Sequence, residues 1–180
     1  MRTLVVCESM YGNTKHVAEA IARGVRAGDD DRVDVVPARI AAECDLSQYD
    51  LLVVGAPTHV HGLSTQRTRD AAARAASNAE KGLRVEADAS HPGVREWLKT
   101  LEPSRGRMAA FDTRLDRSRL LTGRASKTIS RRLRHLGYSP VAEPESFVVD
   151  DHTRLEAHEV ERAEQWGRAL RLSAASTSNG

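Results

Sequence analysis

Five short apolar runs, each separated from the next by a stretch at helical period, constrain this chain more than any other feature. The runs are Thr3–Cys7, Val33–Val36, Leu51–Gly55, Arg107–Phe111 and Ser146–Val149. Leu51–Gly55 is the most continuous of them, and continuous apolarity marks a strand buried on both faces. Thr14–Ala27 carries Val17, Ala20, Ile21 and Gly24 on one side of a helix. Ala38–Cys44 reads as a short helix and Ser64–Glu80 as a longer one. Pro92–Leu101 is helical, with Val94, Trp97, Leu98 and Leu101 inward; Pro92 suits its first turn and Pro103 its stop. Ala125, Ile129, Leu133 and Leu136 mark the next helix, closed by Gly137. Glu156–Leu170 is the last, with Val160, Ala163, Trp166 and Leu170 inward. Gly82–His91 breaks the pattern and reads as an excursion. Strands joined by helical crossovers form a parallel sheet covered on both faces, a doubly wound α/β fold of five strands.

Composition narrows the class. The 180 residues fit one domain, expected to span 1–172, with the small, polar residues 173–180 as a disordered tail. At 40% hydrophobic and 29% charged residues, the chain is neither disordered nor membrane-spanning; no apolar run approaches the ~18 residues of a transmembrane segment. Cys7 and Cys44 stand in no CxxC or zinc spacing, and the first strand begins at once, so a reducing cytoplasm is the expected compartment. Charge is polarised: Arg105–Arg134 has a net +8 and Val141–Glu164 a net −6. Lys127, Arg131 and Arg134 share one outer helix face. Nucleic acid is not an expected partner, because no aromatic residues interleave with those cations.

Ser9-Met10-Tyr11-Gly12-Asn13-Thr14 joins the first strand to the first helix. In such sheets ligands bind beyond the carboxyl ends of the strands, and a helix N-terminus there offers N–H groups and a positive dipole end to an anion. Ser9 and Thr14 add hydroxyls, Asn13 an amide, and Gly12 a close turn. The GxxxxGK[ST] and GxGxxG spacings are both absent, so the loop suits one terminal phosphate of a mononucleotide. The alternative is a set of ordinary helix-capping residues. No GxSxG elbow, receiver-type acidic pair or metal-ligand spacing occurs; His59-x-His61 lacks a third ligand.

The stretch Leu4–Ile21 resembles the FMN phosphate loop of the flavodoxin family in its apolar strand, its hydroxyl residue, Gly12, Thr14, and Ala and aliphatic residues at helical spacing. It differs at Cys7, where that family usually has an aromatic residue. The resemblance implies a flavodoxin-like three-layer fold of strand order 2-1-3-4-5 with FMN as cofactor. It also implies that the loops after the third and fourth strands flank the isoalloxazine ring. Here these are Pro57-Thr58-His59-Val60-His61-Gly62, within a Gly-x-Pro-Thr element, and Phe111-Asp112-Thr113-Arg114. Phe111 alternatively belongs to the core. No aromatic occurs between Asp112 and Gly123, where the family often stacks one.

Arg114, Arg117 and Arg119 distinguish the third loop from that of the acidic shuttle flavodoxins. One guanidinium ~7 Å from the ring, at an effective dielectric of ~20, favours the reduced anion by roughly 2 kcal/mol, on the order of 100 mV for one electron. Expected partners are a redox protein or a small-molecule donor or acceptor, a quinone among them. Two alternatives stand beside this one: a protoporphyrinogen oxidase-like or quinone-linked oxidoreductase, and a flavodoxin-fold interaction module without flavin.

Overall fold

The computed structural model describes residues 1–26, 28, 30–59, 62–76, 85–116 and 123–176. The chain alternates β1 (Arg2–Cys7), α1 (Asn13–Val25), β2 (Arg32–Pro37), α2 (Ala38–Ala41), β3 (Leu51–Pro57), α3 (Gln66–Ala76) and α4 (Val94–Thr100). It continues with β4 (Arg107–Leu115), α5 (Ala125–His135), the two-residue β5 (Ser139–Pro140), β6 (Glu145–Val149) and α6 (Glu159–Ser176). All named pairings are parallel, in the order β2-β1-β3-β4. β5 and β6 share the far edge beside β4, so the expected 2-1-3-4-5 order holds with its last position divided in two. Pro140 and Pro144 flank the break, and an outer edge is where a sheet tolerates proline.

Two cores lie on opposite faces. Leu4, Val6, Leu52 and Val54 meet Trp97 and Leu98 of α4 and Ile129 and Leu133 of α5. Val5, Leu51 and Val53 meet Val17 and Ile21 of α1 and Ala163 and Leu170 of α6. Neighbouring residues of one strand thus feed different cores, which is why the strands read as continuous apolar runs.

Phe111 belongs to the second core. It is fully buried, edge-on to Phe147 and Trp166 at centroid distances of 6.2 and 6.5 Å. Gly55 makes room for it: a Cβ there would lie 2.0 Å from the Phe111 ring. The alternative of a ring-flanking Phe111 is therefore corrected. Its segment is corrected too, because β4 runs to Leu115 and Phe111-Asp112-Thr113-Arg114 lies within the strand. β3 likewise runs to Pro57, two residues further than the apolar run.

α6 also departs from expectation. It starts at Glu159 and reaches Ser176 with Ala174 fully buried, so the helix includes residues assigned to the tail. Val160 is 38% exposed, not inward, because the buried stripe is Ala163, Gly167, Leu170 and Ala174. Residues 177–180 lie outside the described residues, as do 77–84 of the predicted third helix and excursion.

α1 and α6 touch backbone to backbone. A Cβ on Gly167 would stand 2.3 Å from the Ile21 carbonyl oxygen, and one on Gly24 would stand 2.0 Å from that of Glu164. Gly167→Ala forces the two helices apart and is expected to cost about 1–3 kcal/mol. Urea denaturation measures it, and an unchanged midpoint would contradict this packing.

α5 is capped from the sheet. Thr58 Oγ1 accepts from Ala125 N at 3.0 Å, and Asp112 Oδ2 accepts from Ser126 N at 2.7 Å. Asp112 is buried, and that burial raises its pKa above the ordinary aspartate value despite its hydrogen bonds with Ser126. At low pH both folded and unfolded states hold the proton. As pH rises above about 4, the unfolded chain releases it first, so this group's stabilising contribution declines until the raised native pKa is passed. Asp112→Asn keeps an acceptor for Ser126 and has no such decline. The stability of the wild type minus that of the variant should fall with rising pH and then level off. A pH-independent difference in urea denaturation would contradict this.

Candidate functional site

Two loops and the end of β4 converge where the strand order reverses, between the carboxyl ends of β1 and β3. The first follows β1. Ser9 Oγ accepts from Gly12 N at 3.1 Å, and Gly12 takes φ 91°, a conformation that glycine adopts without strain. α1 then begins at Asn13, and among the described residues no side chain accepts a hydrogen bond from the N–H groups of its first turn. The N–H groups of its first turn remain for another acceptor, in contrast with the doubly capped α5.

The sequence-predicted hydroxyls and amide have specific partners. Thr14 is buried, with its Oγ1 2.8 Å from Thr113 Oγ1 on β4. One hydroxyl of that pair donates to the other, which leaves the second proton for a ligand. Ser9 Oγ accepts from Gly12 and keeps its own proton likewise. The Asn13 amide is not directed as expected: Nδ2 donates to the Thr153 carbonyl at 2.7 Å and ties α1 to the turn after β6. Met10 is buried and its carbonyl accepts from Glu86 N at 2.9 Å. Tyr11 Oη donates to the Ala72 carbonyl at 3.0 Å, and burial raises its pKa.

The second loop holds Pro57, Thr58 and His59. Thr58 N donates to the Thr113 carbonyl at 2.8 Å, and its hydroxyl caps α5. The Thr58 N–H is thus engaged, while its hydroxyl, which only accepts here, keeps its own proton. His59 and Gly62 exchange both backbone hydrogen bonds, at 2.8 and 2.9 Å. Val60 and His61 lie outside the described residues. Burial holds the His59 pKa below its ordinary value; Glu8 opposes the shift and Arg69 adds to it. At neutral pH His59 is therefore an uncharged imidazole.

The third wall is β4 itself. Thr113, Arg114 and Leu115 face the same cleft, and Arg114 is largely buried with Nη1 donating to the Leu115 carbonyl at 3.1 Å. Arg117 and Arg119 lie outside the described residues. Met10, Tyr11, Asn13, Thr14, Pro57, Thr58 and His59 complete the wall of a cleft of about 160 Å³. Ser9, Gly12, Gly62 and Asp112 are not in its lining; Ser9 and Gly12 shape the phosphate loop and Asp112 the α5 cap. Leu115, Val149 and Thr153 do line it, and the sequence did not single them out. Thr153 has a φ of 61°, but no glycine signals that turn.

A larger cleft, about 290 Å³, lies on the far side of the same loop between α1, α2 and residues 86–93. Glu8, Glu19, Glu86 and Asp88 line it together with Lys15, which pairs with Glu86, and Arg39, which pairs with Asp88, and Ser9 of the phosphate loop lines it as well. Cys7 also lines it, but burial pushes that thiol up to about 12 and makes it a poor nucleophile.

Residues 4–71 match the sequence model of the family described as Flavodoxin domain. No curated protein sequence matches the chain. Solved structures share its fold over nearly the whole length. Oxidised Flavodoxin 1 from Bacillus cereus has a TM-score of 0.64 at 20% identity, covering 94% of this chain and 97% of that one. A flavodoxin from the domain Archaea has a TM-score of 0.61 at 17% identity, covering 97% and 99%. A flavodoxin, WrbA-like protein from Agrobacterium tumefaciens has 0.59 at 17% identity, covering 97% and 98%. The chain thus has the flavodoxin-like fold throughout, and its residues 4–71 match that family's sequence model.

Proposed function

We propose that the protein binds FMN and works as a flavin-dependent redox protein. The observation that carries this reading is the start of α1: a helix N-terminus without a side-chain cap, flanked by the hydroxyls of Ser9 and Thr14, beside a cleft bounded by the loops after β1 and β3 and by the end of β4. That donor set suits a phosphate monoester. Bound FMN supplies one- and two-electron transfer chemistry.

The chain's own residues have separable roles in this reading. Ser9 Oγ–H, the remaining proton of the Thr14–Thr113 pair and the first N–H groups of α1 hold the phosphate. Met10, Leu115 and Val149 give the cleft apolar walls that exclude water. Pro57 and Thr58, fixed to Thr113 and Ala125, keep one wall rigid. Arg114 brings positive charge to the opposite wall, while neutral His59 adds none.

Residues 85–93 tie back to the first loop and to α2: Glu86 N donates to the Met10 carbonyl, and Asp88 pairs with Arg39 of α2. The flavin-free reading leaves the contrast between the α1 and α5 termini unexplained.

Fluorescence titration with FMN and with riboflavin tests the phosphate site. FMN is expected to bind far more tightly, and Ser9→Ala to weaken FMN by about tenfold or more, one charged hydrogen bond, while leaving riboflavin unchanged. Equal binding of the two flavins would overturn the reading. Arg114→Gln is expected to lower the potential of the bound flavin by up to the order of 100 mV in a spectroelectrochemical titration. An unchanged potential would remove Arg114 from the electrostatics of the site.

A further inference from the structure

The groove between α4 and α5 is apolar at its floor and cationic at its rim. Leu63, Leu98 and Leu136 form the floor of this depression of about 390 Å³. Arg131, Arg132 and His135 stand along its α5 side. Arg95 closes the other side, but its guanidinium is occupied, donating to the carbonyls of Leu63 and Ser64 at 2.5 and 2.6 Å.

The rim cations have no internal counter-charge. Arg131, Arg132 and Arg134 are exposed, and none of them forms an ion pair among the described residues. α5 contains no acidic residue. Glu96, the acid of α4, is held by Arg69 and by Gly93 N. Some arginines elsewhere do find acidic partners: Arg39 with Asp88, Arg162 with Glu145 and Glu159, Arg168 with Glu164, Arg171 with Asp31. Unpaired like charges repel one another, and an acidic partner relieves the repulsion.

We propose that this groove docks an acidic segment of a partner protein, with an aliphatic side chain seated on the leucine floor and flanking carboxylates on Arg131 and Arg132. The leucines argue against nucleic acid, which has no aliphatic group to place there, and no aromatic residue lines the groove for a base to stack on. A membrane surface is disfavoured because the exposed large apolar side chains, Val85, Leu115, Val160 and Leu172, all lie outside the groove. A second copy of the chain would present an acidic stretch in which Glu145, Glu159 and Glu164 are already held in internal pairs. The groove begins at Leu63, one residue beyond the His59–Gly62 turn, so a docked partner lies beside the second loop of the cleft. The proposal does not depend on whether flavin is bound.

Fluorescence anisotropy of the full chain tests it, using a labelled peptide of repeated Glu-Leu-Leu-Glu units. Controls are the same peptide with Gln for Glu, a labelled oligothymidylate of equal charge and phosphatidylserine vesicles. Saturable binding is expected, weakened about tenfold or more by Arg131→Glu with Arg132→Glu, because close interfacial charge pairs are reversed. Arg23→Glu with Arg168→Glu, on α1 and α6 across the sheet from the groove, changes the net charge equally and is expected to leave the affinity within about twofold, since exposed charges farther away than a Debye length are screened. Circular dichroism of both double variants verifies that they fold. Absence of binding would overturn the proposal, as would equal loss in both double variants or equal binding of the Gln peptide. Tighter capture of oligothymidylate or vesicles through the same two arginines would replace the acidic protein segment with those ligands.

Discussion

The hydroxyl pair of Thr14 and Thr113 joins the first turn of α1 to β4, and the functional geometry depends on that join. It fixes the helix N-terminus against the sheet at the point where the strand order reverses. Asn13 adds a second tie, to the turn after β6, and Thr58 a third, from the loop after β3 to β4. Three loops distant in sequence thereby become the walls of one cleft. An anion site built from backbone N–H groups needs this rigidity, because the donors cannot rotate to follow a ligand.

Two of the helices that begin at this end of the sheet, α1 and α5, are treated oppositely. α5 receives Thr58 and Asp112 as caps, so its N-terminal dipole is answered from within the protein. Asp112 is held there at the cost of burying a carboxyl group. α1 receives no side-chain cap among the described residues. Its N-terminal dipole is therefore the one of the two suited to an outside acceptor.

Much of this was legible in the sequence. Continuous apolar runs identified the strands because each strand feeds two cores, and helical period identified the crossovers. The loop Ser9–Thr14 was readable because Gly12 and its hydroxyl neighbours sit at a strand-to-helix junction. The ends of β3 and β4 were not readable. Gly55 resembles a turn residue, yet it is a strand glycine that admits the Phe111 ring. Asp112, Thr113 and Arg114 look like loop residues, yet they extend a strand, because their polar groups find partners in Ser126, Thr14 and the Leu115 carbonyl. Polar residues at strand ends carry no period, so only the tertiary partners reveal them. Thr153 and Val149 reach the cleft from far along the chain, which a local pattern does not encode.

Phosphorus NMR of the protein loaded with FMN tests the central claim most directly. A phosphate ester held by the α1 N-terminus and two hydroxyls should give one resonance, shifted from free FMN and unresponsive to pH across the ordinary second phosphate pKa of about 6. A resonance that titrates like that of free FMN would show the phosphate in solvent, and α1 would then have no part in holding it.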